Sequence, residues 1–87
     1  MTKEIFEYEI GKAKTFAYLG ERVCYWKGYQ RGLCRAYYGE VFGSQEEHER
    51  WMSFAGNRKA NEFQRERGRG YLDGLVVRPL PAPPRAG

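Results

Sequence analysis

Two segments of this chain, forty-two residues apart, share one pattern. Lys27-Gly28-Tyr29-Gln30-Arg31-Gly32-Leu33 and Arg69-Gly70-Tyr71-Leu72-Asp73-Gly74-Leu75 both read base-Gly-Tyr-x-x-Gly-Leu. Glycines four apart lie on one face of an α-helix, a turn apart. Each costs a helix interior about 0.5–1 kcal/mol against alanine. Close approach of a second backbone is the expected compensation, as in small-x-x-x-small helix pairs. Gly28, Gly32, Gly70 and Gly74 are therefore the expected packing residues. The partner of Gly28 and Gly32 is either the 70–74 segment or, in a homodimer, the same face of a second copy.

A longer pattern surrounds the first copy. Small residues recur at 13, 17, 20, 24, 28, 32, 36, 39 and 43, always three or four apart. That spacing predicts one long helix over about 12–42, with Gly20 as a point of bend or break. Ser44 and Glu47 make a capping-box pattern, which predicts a second helix over 45–55 ended by Gly56-Asn57. A third helix over 58–75 carries Arg58/Glu62, Glu62/Arg65 and Glu66/Arg69 at neighbour spacing. Upstream, Phe6-Glu7-Tyr8-Glu9-Ile10 alternates as a strand or extended arm would. Gly11-Lys12 offers a turn that would return residues 13–19 as a hairpin. The expected fold is mainly α: a small three-helix domain with a long first helix and an N-terminal strand or arm. The alternative is α+β with an N-terminal β-hairpin. Residues 1–77 form the domain. Residues 78–87 form a proline-rich tail, in which Arg78, Leu80, Pro81 and Pro84 match a polyproline ligand for Src-homology-3 type grooves.

With 87 residues the chain is one domain. It contains no run of eighteen apolar residues, so no membrane span is expected. Met1-Thr2-Lys3-Glu4 leads into an acidic segment rather than an apolar one, which predicts no secretory signal and a cytoplasmic protein. Cys24 and Cys34, ten helical residues apart, would be separated by about 15 Å and remain free thiols. His48 is the only histidine, and it suits a half-buried helix face. No metal, cofactor or enzymatic activity is expected: there is no glycine-rich phosphate loop, and one His with one Asp offers no plausible nucleophilic triad.

The net charge of +4 is spread in blocks. Residues 21–40 carry +2 (Arg22, Lys27, Arg31 and Arg35 against Glu21 and Glu40), and 58–70 carry +3 (Arg58, Lys59, Arg65, Arg67 and Arg69 against Glu62 and Glu66). Between them, 41–57 carries −2. Each basic block holds one copy of the Gly-Tyr motif. Helix packing through the glycines would bring both blocks to one side of the molecule. Lys27, Arg31, Arg35, Arg65, Arg67 and Arg69 are then candidate phosphate contacts. Trp26, Tyr29, Trp51 and Tyr71 are the aromatic candidates for contact with a partner. Tyr29 also belongs, with Tyr25 and Tyr37, to a stripe that suits a core.

The first motif, followed by a tryptophan and a second Gly-aromatic-x-x-Gly, resembles bacterial ribosome modulation factor and related small basic proteins. Gly28, Tyr29, Gln30 and Gly32 match the first family motif; Gly70, Tyr71 and Gly74 match the second, with Tyr71 where the family usually has tryptophan. The resemblance implies a non-enzymatic protein that binds the small ribosomal subunit through basic surface. The expected partner is RNA or a ribonucleoprotein. The alternative is a phage- or mobile-element-type inhibitor or adaptor that binds a host protein complex.

Overall fold

The computed structural model describes residues 1–78. The proline-rich tail, apart from Arg78, lies outside the described residues. The order of elements is α1 (Lys3–Tyr18), α2 (Val23–Tyr38), a short 3-10 turn (Gly39–Val41), α3 (Gln45–Phe54) and α4 (Glu62–Val76). The domain is mainly α, as expected, with four helices among the described residues rather than three and none of them forming a strand.

Residues 3–18 are helical, which corrects both the N-terminal strand or arm and the hairpin. Thr2 caps α1 by accepting from the Ile5 amide at 3.2 Å. Phe6, Ile10, Ala13 and Ala17 then fall four, three and four apart and form the face that joins the core. The 12–42 helix breaks where Gly20 was marked. Gly20 (φ +82°) and Arg22 (φ +49°) both adopt the left-handed region, and the chain turns there between α1 and α2. Gly39 and Gly43 also have positive φ, so with Gly20 three of the nine small residues lie at helix boundaries rather than within a stripe. Ser44 accepts from the Glu47 amide at 3.0 Å and starts α3 as expected. The last helix begins at Glu62 instead of 58. Asn57 turns back to accept from the Lys59 amide, and Asn61 and Gln64 complete a reciprocal capping box.

The two Gly-Tyr motifs meet. A Cβ on Gly28 would overlap the Arg67 carbonyl, and one on Gly70 would overlap the Tyr25 carbonyl. In the same way Gly32 lies on the Tyr71 carbonyl and Gly74 on the Tyr29 carbonyl. Residue numbers rise together along both helices, so α2 and α4 run parallel. Arg67 and Tyr25 are themselves forty-two residues apart, as are Tyr71 and Tyr29. The seam is therefore an internal pseudo-two-fold whose axis runs along the helices, with all four glycines buried in it. These contacts take up the face that a homodimer would have used.

The symmetry extends outward. Helix α1 packs on α2 and α3 packs on α4. The equivalent tyrosines each bond to the preceding helix: the Tyr29 hydroxyl donates to Glu9 at 3.0 Å, and the Tyr71 hydroxyl shares a hydrogen bond with His48 Nδ1 at 2.6 Å. The halves differ at Trp26 and its equivalent, Gly68. Trp26 is 1% exposed and stacks on Phe16 of α1 at 4.9 Å between centroids. Gly68 instead admits backbone, since a Cβ there would lie 2.7 Å from the Ala55 nitrogen. Tyr25, Tyr29 and Leu33 are fully buried beside Trp26.

Burial raises the Tyr29 phenol above its ordinary value, and the Glu9 carboxylate adds to the shift. The neutral phenol is thus favoured in the folded state. Its contribution is complete below the unfolded value of about 10 and is lost as pH rises beyond it. Thermal unfolding followed from pH 8 to 11 should show stability falling above about pH 10. Tyr29→Phe should be less stable than the parent at pH 8 yet show a shallower alkaline loss.

Candidate nucleic-acid interface

The six basic residues singled out from the sequence divide into two groups. Arg31 and Arg35 are structural. Arg35 is 9% exposed; it donates from Nη1 to the Phe42 carbonyl and from Nη2 to Gln45 Oε1, both at 3.1 Å. Arg31 pairs with Glu47, and its guanidinium lies over the Phe42 and Trp51 rings. Together they fasten the 3-10 turn and the start of α3 to α2. Arg35 is turned inward, away from any phosphate.

Lys27, Arg65, Arg67 and Arg69 are exposed. Arg69 makes a 3.5 Å pair with Glu66, whereas Lys27, Arg65 and Arg67 have no ion pair among the described residues. The parallel seam parts Lys27 from Arg69. Lys27 and Arg69 occupy equivalent positions in the repeat, and a two-fold along the helix axes turns equivalent outward positions to opposite sides. The single basic side expected from the glycine contacts therefore does not extend to Lys27 and Arg69, although Arg22 of the first block reaches Glu66, the partner of Arg69.

On α4, Gly70 and Gly74 face α2, and Gly68 faces α3. Arg65 and Arg69, four apart, fall on the remaining face with the exposed Val76. The turn before α4 adds exposed Arg58 and Lys59, which were part of the basic block in sequence but not among the named contacts. Arg58, Lys59, Arg65 and Arg69 thus follow one another along the turn and outer face of the last helix, with Glu62 the exposed acid among them. Arg22, a member of the first basic block, has a structural role that its sequence position does not reveal. Its left-handed backbone carries the guanidinium to Glu66 at 3.1 Å and over the Tyr25 ring, whose hydroxyl donates to Asp73 at 2.6 Å.

Three of the four aromatic candidates are internal. Trp26, Tyr29 and Tyr71 are at most 3% exposed, and Trp51 is half-buried against Tyr71 and Phe54. The exposed aromatics are Tyr8, Tyr18, Tyr38 and Phe63. Phe63 lines a groove at the N-terminal ends of α2 and α4 with Val23, Cys24 and Glu66. Both cysteines are half-buried free thiols. Among the described residues no group of His, Cys, Asp and Glu is arranged to hold a metal, and no helix is long and apolar enough to cross a membrane.

Comparison with protein-family models, with curated proteins and with solved structures finds no match to this chain.

Proposed function

We propose that this protein is a non-catalytic binding protein whose partner is RNA or a ribonucleoprotein, acting in the cytoplasm. The turn before α4 and the outer face of that helix would lie along phosphates. The observation that carries this reading is the run Arg58, Lys59, Arg65 and Arg69. All four are exposed, and the first three are in no ion pair among the described residues. Such cations need no desolvated partner broken before they meet a phosphate, and each contact would release condensed counterions. The other two faces of α4 are fixed against α2 and α3, so the helix would present its cations on a rigid support.

The resemblance to ribosome modulation factor makes the small ribosomal subunit the first ribonucleoprotein to test. The protein-directed alternative loses three of its named anchors, because Trp26, Tyr29 and Tyr71 are core residues.

The salt dependence of binding tests the reading. For single-stranded RNA the logarithm of the affinity should fall with the logarithm of salt by about 0.7 per phosphate contact. Arg65→Ala and Lys59→Ala should each reduce that slope by about one contact. Lys27→Ala, on the other side, should leave it unchanged. Recovery from the host of one stoichiometric protein that survives nuclease and carries no RNA would overturn the proposal and favour the protein-directed one.

A further inference from the structure

A second surface lies away from the α4 cations. Between α1, the solvent side of α2 and the 3-10 turn runs a groove of about 370 Å³. Its lining divides cleanly. Phe6, Ile10, Cys34, Tyr38 and Phe42 supply apolar surface, while Lys14, Gln30 and Arg31 supply the polar groups. No carboxylate lines it. The volume falls within the roughly 300–1,000 Å³ of small-ligand sites, which combine mostly apolar walls with a few polar groups.

One of the two cations has unused capacity. Lys14 is exposed and has no ion pair among the described residues. Arg31 also lines the groove, with its guanidinium already paired with Glu47. Both cations act on one point of the floor: burial pushes the Cys34 thiol up, and Arg31 and Lys14 each draw it back down. Their positive charge therefore converges on the apolar surface beneath it.

We propose that this groove binds a small carboxylic acid with an apolar body. The carboxylate would sit at Lys14 and the adjacent Gln30 and Arg31, and the hydrocarbon would lie on Ile10, Phe42 and Tyr38. A neutral molecule of the same shape would leave Lys14 unpaired, and an acid without the apolar body would forgo the burial.

The two thiols supply a test in the unaltered protein. Cys34 lies in this groove and Cys24 in the groove at the N-terminal end of α2, so Cys24 serves as an internal control. Trypsin separates them, because Arg22, Lys27, Arg31 and Arg35 bracket the two residues. The folded full-length chain is treated with iodoacetamide in the presence of decanoate or decanol, and alkylation of each thiol is followed by mass spectrometry. Decanoate should slow alkylation of Cys34 several-fold and leave Cys24 unchanged, and decanol should protect far less. Lys14→Glu, a change at an exposed position, should raise the decanoate concentration needed for half-protection by about fivefold or more. Equal protection by decanol, equal protection of both thiols, no protection of Cys34, or an unaltered requirement in Lys14→Glu would each overturn the proposal.

Discussion

Gly70→Ala should destabilise this protein severely. The added methyl would overlap the Tyr25 carbonyl and come 2.9 Å from the Tyr29 nitrogen, and both are backbone atoms inside a helix. Neither atom belongs to a flexible side chain, so the only relief is to move α2 and α4 apart. Moving them would also loosen the contacts at Gly28, Gly32 and Gly74. Overpacking commonly costs about 1–3 kcal/mol, and more where the surroundings cannot yield. A cost of at least about 3 kcal/mol is expected here, against a total of about 5–15 kcal/mol for a typical domain. Gly32→Leu, with a longer side chain against the Tyr71 carbonyl, should be worse. Gly11→Ala is the control: it lies within α1 with nothing inside 4 Å of its Cβ position. That change should stabilise by about 0.5–1 kcal/mol through helix propensity alone. Chemical denaturation of the variants checks the pair, and a Gly70→Ala protein as stable as its parent would refute the close seam.

Trp26→Ala should cost about 3–5 kcal/mol, the usual range for removing a buried large aromatic. Its ring stacks on Phe16 and meets Tyr25 and Tyr29 edge-on at 5.0 and 5.4 Å. Deleting it would empty the space between α1 and α2. Trp26→Phe should cost less for two reasons. Much of the stacking surface stays, and the indole Nε1–H, buried with no hydrogen-bond partner, is removed; an unmet buried donor costs about 1–3 kcal/mol. Any loss of partner binding in Trp26→Ala should follow the loss of helical signal. Binding lost from a fully folded Trp26→Ala protein would restore the tryptophan to the partner surface.

The seam could be read from the repeat because glycine at four-residue spacing has a steric meaning that survives without knowledge of the fold. The capping signal at Ser44 was local and equally legible. The first segment is ambiguous in sequence because Phe6, Tyr8 and Ile10 satisfy period two, while Phe6, Ile10, Ala13 and Ala17 satisfy a helical face. Only packing against α2 decides between those patterns. The candidate site was legible in composition more than in placement. Arg35 and Lys27 are both basic residues of α2, yet the start of α3 crosses one and leaves the other in solvent. That crossing is fixed by a loop about ten residues away in sequence, which helical spacing does not reveal. The placing of Lys27 opposite Arg69 depends on the direction of the helices: an antiparallel pair and a parallel pair bury the same glycines but distribute the charged positions differently.

The parallel seam also governs how the chain can reach its fold. Hairpin helical proteins gain their contacts between neighbours, and low sequence separation lets them fold quickly. Here the tightest contacts join residues about forty apart, Tyr25 with Gly70 and Gly28 with Arg67. Neither α1–α2 nor α3–α4 contains that contact, so the loop between α2 and α4 must close before the glycines give anything back. This small helical chain is therefore expected to fold more slowly than its helix content alone would indicate.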